Sequence, residues 1–140
     1  MAVTATPVFV QTPKVTVTSV TSTDTADTTF ATLCTAGANG TKVIGINITS
    51  DDGTASHVVR LYITRSAVAY AIGAMTVAIS AGFVVATAGV DGLAAVAGLP
   101  VDNDGQAYLF LVSGDTLTAQ FSTAMTASKK IYFNTIHGDF

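Results

Sequence analysis

The run Lys14 to Val20, KVTVTSV, alternates Val with Thr and Ser. A side-chain period of two is what a strand with one buried and one wet face requires. The same period returns along the chain. In HVVRLYIT, His57 to Thr64, it sets Val59, Leu61 and Ile63 against Val58, Arg60 and Tyr62. In TLTAQF, Thr116 to Phe121, it sets Leu117 and Ala119 against Thr118 and Gln120, and KIYFNTIH, Lys130 to His137, reads as the last strand. TKVIGINITS alternates Val43, Gly45, Asn47 and Thr49 with Ile44, Ile46 and Ile48, so the isoleucines are expected to mark its buried face. The turn Asp51-Asp52-Gly53 then makes this strand and the one from His57 read as a hairpin or sheet edge. Thr29 to Thr35, TFATLCT, is a less regular second strand, and Gln106 to Val112, QAYLFLV, a fully apolar one.

Between these runs lie Ala36 to Gly40, Asp102 to Gly105 and Ser113-Gly114-Asp115, rich in residues that tolerate turn geometry, and the polar loop TSTDTADT. One segment breaks the period. VDGLAAVAGLP offers Asp91 as an N-cap, Leu93, Val96 and Ala97 at helical spacing, Gly98 as a stop and Pro100 beyond, which predicts a short helix near 91–97. Short strands at intervals of roughly 8–12 residues, separated by turns, indicate an all-β chain: a single-domain antiparallel β-sandwich or jelly-roll-like barrel. Alternation alone leaves a jelly roll and an immunoglobulin-like sandwich equally open. The opening MAVTATPVFVQTP, with Pro7 and Pro13 and no turn pair, is expected to be an extended arm over 1–13 ahead of one β domain over 14–140. It has neither a basic start nor a continuous apolar run, so no secretory signal is expected.

Composition narrows the function classes. Of 140 residues, 49% are hydrophobic and 11% charged, so the surface must be built from Thr, Ser, Ala and Gly, and part of it is expected to be covered by neighbours. The net charge is −3 and the six basic residues are scattered, which argues against holding nucleic acid. The single Cys34 cannot form an internal disulfide and fits assembly in a reducing cytoplasm. Ser66 to Val90 is uncharged and long enough to cross a bilayer, but it lacks Leu and is interrupted by Gly73, Gly82 and Gly89. Alternation at Val68, Tyr70 and Ile72 and again at Val77 and Ile79 reads instead as strands at the core of a sheet protein, with no membrane partner.

No residue set points to catalysis. His57 and His137 have no ligand partners at metal spacing on a common element, and nothing around Cys34 resembles an activated nucleophile, so it reads as a buried small hydrophobe. Asp102-Asn103-Asp104-Gly105 opens like an EF-hand loop but lacks the closing Glu and the flanking helices, which leaves a β-turn as the expectation for Asp102 and Asp104 rather than a cation site. Asp24, Asp27, Asp51 and Asp52 are expected in solvated turns. Gly37 to Lys42, GANGTK, has the wrong spacing for a phosphate loop. With no Trp and an aromatic content of 8%, a sugar platform would rest on the tyrosines. No catalytic, cofactor or metal residue is assigned, and the expected activity is non-enzymatic binding of other proteins.

The segment LPVDNDGQAYLFLVSGDTLTAQF, Leu99 to Phe121, resembles small virion proteins of tailed bacteriophages, and the opening MAVTATPVFVQTPKVTV and the closing GDF fit the same pattern. The resemblance implies a β-sandwich or jelly-roll protein that decorates or cements the capsid, often as a homotrimer, without enzymatic activity. Its partners would then be the major capsid protein or other virion proteins, and it would reside on the capsid surface. A head-fibre, tail or baseplate component is the nearest variant. A carbohydrate-binding module would need an exposed Tyr or Phe in a groove with Asp or Asn. A hydrolase would need a His beside a carboxylate or Cys34.

Overall fold

The computed structural model describes Val10 and residues 12–140. The alternating runs become β1 (Thr12–Thr21), β2 (Phe30–Thr35), β3 (Thr41–Ser50), β4 (His57–Arg65), β5 (Val68–Val77), β6 (Val90–Asp91), β7 (Leu109–Leu111), β8 (Thr116–Phe121) and β9 (Lys130–Asp139). Two antiparallel sheets result. One has the order β1-β9-β3-β6, with β7 also on β3, and the other β2-β8-β4-β5. The pairs β1–β9, β2–β8, β3–β6 and β4–β5 are those of one long hairpin whose successive pairs alternate between the sheets. That is jelly-roll topology, and it excludes the immunoglobulin-like order that alternation had left open. The inner faces supply the core, in which Val20, Leu33, Ile46, Ile48, Leu61, Leu117, Phe121, Ile131 and Phe133 are all buried.

Thr12 and Pro13, expected in the arm, instead extend β1, where they face Asp139 and Gly138 of β9. β1 is an edge strand, where a residue without an N–H is tolerated. The rest of the arm, residues 1–9 and 11, lies outside the described residues.

Several local expectations change in the folded chain. The buried face of β3 is not one unbroken row of isoleucines. Its register against β9 shifts between Val43 and Gly45, so Val43 is buried, Ile44 is 48% exposed, and Ile46 and Ile48 return to the core. A bulge inserts one residue, and one residue inverts the parity of everything before it. β3 and β4 form no hairpin, because the jelly roll sends the chain from one sheet to the other between them. The hairpin is β4–β5, closed by Ser66 and Ala67, both at positive φ. β5 is accordingly an edge strand, with Val68 and Tyr70 50% and 55% exposed, and only its far end, at Val77, is buried in the core as expected. The expected helix shrinks to a single 3-10 turn at Leu93–Ala95, with the Asp91 carboxylate accepting from the Leu93 N–H at 3.0 Å. Gly98, at φ +76, does end that segment. The apolar run from Gln106 yields only the three residues of β7.

Between β5 and β6 an apolar loop folds back on β3. Gly82 sits at φ +73, and a Cβ there would lie 2.4 Å from Cγ2 of Thr49. Gly105 has a similar φ of +79 with nothing within 4 Å of such a Cβ. Gly105→Ala should therefore cost about 1–2 kcal/mol, the left-handed penalty alone. Gly82→Ala should cost about 1–3 kcal/mol more through overpacking. Urea unfolding of the two variants checks the difference; equal losses would show that the 78–89 loop does not press on β3.

Candidate interaction surface

The groups with potential chemistry are spent on structure. Asp52 is buried where the β3–β4 crossover meets the 122–129 loop. Its Oδ1 accepts from the N–H groups of Thr54 and Ala55 at 2.9 and 3.1 Å and from the Thr126 hydroxyl at 3.0 Å. Its Oδ2 accepts from the Thr126 N–H at 3.0 Å and lies 3.1 Å from Nε2 of His57. Asp52 is thus not in a solvated turn, which corrects the sequence reading. Burial alone would raise its pKa, but the N–H groups of Thr126, Thr54 and Ala55 and the Thr126 hydroxyl outweigh that and hold the carboxyl well below the usual range.

The His beside a carboxylate that a hydrolase would need is therefore present in this pair. Both side chains are fully buried, and Nδ1 of His57 faces the Thr123 carbonyl at 3.1 Å. Both ring nitrogens have partners within the fold, and the side chain presents no surface to a substrate. His137 lies on the inner face of β9 with Nε2 2.9 Å from the Thr16 hydroxyl. Burial pushes its pKa down against the opposing pull of Asp139. Cys34 is buried, and desolvation, helped by Asp139, raises its thiol to about 11. A thiol held neutral is a poor nucleophile.

The Asp102 carboxylate is occupied by the N–H groups of Asp104 and Gln106 at 3.0 and 2.9 Å, with Gly105 at positive φ completing a turn. Among the described residues, no group of three or more His, Cys, Asp or Glu could hold a metal ion. The GANGTK segment turns through Gly40 into β3, where Lys42 Nζ stands 4.3 Å over the Tyr108 ring. Arg65 holds Asp115 through two contacts of 2.6 and 2.7 Å, tying the end of β4 to the turn before β8.

What the fold presents to solvent is an uncharged face. On β9 the inner residues are Ile131, Phe133, Thr135 and His137, so Tyr132, Asn134 and Ile136 point outward. Register places them in three cross-strand rows: Ser19–Tyr132–Thr49, Val17–Asn134–Asn47 and Val15–Ile136–Gly45. None carries a charge. Val15 and Val17 are 63% and 67% exposed, Ile136 and the bulged Ile44 nearly half, and Phe83 of the 78–89 loop stacks on Tyr132 with centroids 5.5 Å apart. Scattered exposed apolar residues need no explanation, but a contiguous uncharged sheet face does. The Ser66 to Val90 stretch supplies more of the same, forming β5 and the loop that bears exposed Phe83, Val84 and Val85. Among the described residues no helix is long and apolar enough to cross a membrane.

The clefts do not combine sugar-binding groups. One, lined by Ile63, Arg65, Tyr70 and Ile72, has a ring but no Asp or Asn. Two more, over the outer face beside Ile44 and Ile136, have Asp91 with Asn47, or Asp102, but no Tyr or Phe.

No protein-family model and no curated protein matches the chain. A chain of the cyanophage Pam1 capsid asymmetric unit is similar to it at 15% identity and a TM-score of 0.49, over 99% of this chain and 94% of that chain. A likeness of that degree carries no argument about function, which rests on the surface and the sequence.

The carboxylates give a pH dependence with a definite sign. The carboxyls of Asp52, Asp115 and Asp139 are all held below the ordinary range, Asp115 chiefly by Arg65 and Asp139 chiefly by Lys14. A depressed carboxyl contributes stability above its unfolded pKa of about 3.9 that is lost as pH falls through the folded value. Urea midpoints should decline modestly below about pH 6.5, where the lowered pKa of buried His137 lets the unfolded chain take up a proton first, and fall more steeply below about pH 5 as the carboxylates protonate. At neutral pH, His57→Ala, which strips a buried carboxylate of its ring partner, should cost about 3–5 kcal/mol. Stability that instead rose on acidification would contradict the assignment.

Proposed function

We propose that this chain is a non-enzymatic structural protein of a tailed-bacteriophage virion, decorating or cementing the capsid as a homotrimer. The observation that carries the reading is the uncharged outer face of β1, β9 and β3, three rows deep, with Val15, Val17, Ile44 and Ile136 open to solvent in the isolated chain. Such a face is stable in water only at a cost that burial against another protein removes. The resemblance of Leu99 to Phe121 to small virion proteins supplies the context in which the partner is the major capsid protein or another shell component. Jelly-roll topology is compatible with that role and does not by itself assign it.

In this reading the chain folds in the host cytoplasm and ends on the capsid surface. The arm ahead of β1 contacts the shell or a neighbouring subunit, since an extended segment has backbone groups that can add to a sheet edge. No cofactor, nucleic acid or membrane takes part.

Purified particles of the virus that carries this gene should contain the chain in fixed proportion to the major shell protein, and electron microscopy of shells with and without it should show added density on the outer surface. Val17→Lys together with Ile136→Lys should leave folding intact, since both residues face solvent, and lower shell occupancy at least tenfold. Undiminished occupancy of the double variant would remove this face from the contact, and absence of the chain from particles would remove the virion role.

A further inference from the structure

A jelly roll leaves sheet edges, and the edges here are not equally defended. β1 carries Pro13 and Lys14, β2 has six residues and a register shift between Thr32 and Cys34, and β6 and β7 have two and three residues. β5 is different. It is ten residues long, without charge or proline, and its residues Val68 to Ala71 are all exposed. Its ladder runs only to β4, and among the described residues no other hydrogen bond, from backbone or side chain, reaches it. Long uncharged edges with free N–H and C=O groups are templates for another strand, and folded proteins normally blunt them with Lys, Pro or a covering segment. Two features blunt it: the register shift between Leu61 and Tyr62 that leaves Ile72 unpaired, and the 3-10 turn, whose Ala95 carbonyl would lie 2.6 Å from a Cβ on Gly73; together they leave Val68 to Ala71 as a straight, uncovered half.

Beside that half opens an apolar pocket of about 260 Å³ lined by Ile63, Arg65, Tyr70 and Ile72. Strand addition works through this combination: backbone bonds give affinity, and a pocket for alternate side chains gives selectivity.

We infer that the β5 edge of one copy accepts the segment Met1–Phe9 of a neighbouring copy as an added strand. This inference rests on the proposed self-assembly. The segment has no charged side chain, and Ala2 to Thr6, AVTAT, runs five residues before Pro7, enough to cover the straight half of the edge. Val3 is the residue of that run that the apolar pocket takes. Geometry favours a neighbour's edge over the chain's own. β1 stands first in its sheet and β5 last in the other, so they bound opposite flanks of the sandwich. With Ala2 to Thr6 laid on the edge, the chain leaving Val10 on the β1 flank has four residues in which to reach it, at most about 14 Å. When copies stand side by side in a ring, it meets the β5 flank of the next one. The contact is head-to-tail, which is the kind that closes a cyclic trimer.

Light scattering on three proteins tests it: the full chain, a variant lacking residues 2–9, and Ala69→Pro. Arg65 and Val68 close the two-residue hairpin, so the Ala69 N–H points away from β4 and its loss spares the β4 ladder. Ala69→Lys repeats the test with the backbone intact should the proline variant fail to melt cooperatively. The full chain is expected at three times its 14.2 kDa mass and each variant at the monomer mass with an unchanged melt. A monomeric full chain, or a variant that remains oligomeric, overturns the inference. Shell occupancy of the same proteins keeps the two readings apart: a full chain that binds shells while its variants stay trimeric defeats the strand exchange and leaves the virion role standing.

Discussion

The buried carboxylate of Asp52 holds the two sheets in their relative position. A jelly roll must carry its chain from one sheet to the other repeatedly, and each crossover leaves backbone groups that no ladder satisfies. Asp52 lies in the β3–β4 crossover and bonds to Thr126 in the β8–β9 crossover, 74 residues away, and to His57 at the start of β4. A charge in that position would be very costly without partners, and five hydrogen bonds to two oxygens compensate it. Because the partners come from both crossovers, neither loop can shift without leaving a charge unpaired. Arg65–Asp115 and Lys14–Asp139 close other junctions in the same manner. Much of the little charge in this chain is thus used inside or at the seams of the fold, which is one reason the three rows across β1, β9 and β3 have none, with Lys130, Lys42 and Asp91 at their margins.

The parts of this architecture that were legible in the sequence are those governed by local period. β4 and β8 pair from Val59–Phe121 to Thr64–Thr116 without a shift, and the faces read from their alternation are the faces observed. β3 shows where that reading stops. Alternation assigns sides only relative to neighbours, and a bulge at Ile44 reverses them with no change in composition. The β4–β5 turn was hidden because Ser66 and Ala67 adopt positive φ without Gly or Asn. Pairing was beyond reach for another reason: β1 meets β9 across 125 residues, and nothing local encodes that distance.

The surface was legible in quantity and not in place. A chain with so little charge was bound to expose uncharged surface, but the rows of Val17, Asn134 and Asn47 come from three distant segments and exist only after the sheet has formed. The uncharged Ser66 to Val90 stretch illustrates the same gap. Its apolar content suggested the core, whereas its position after a hairpin at the end of the β2-β8-β4-β5 order put it on the rim. Asp52 was missed because Asp-Asp-Gly is a turn sequence and does form a turn; its burial is supplied by residues 122–129, which the local sequence cannot announce.

These features point to one economy in the sequence. A protein that worked alone would gain solubility from Lys and Glu on its outer sheet and would protect a ten-residue edge with a charge or a proline. This chain does so at β1 and at neither the outer rows nor β5. Leaving such surfaces bare raises the risk of uncontrolled association in the free state and strengthens association in an assembly that covers them. Charge is placed where it fixes the fold and is absent from the three outer rows and from β5, the two surfaces on which the proposed assembly contacts rest.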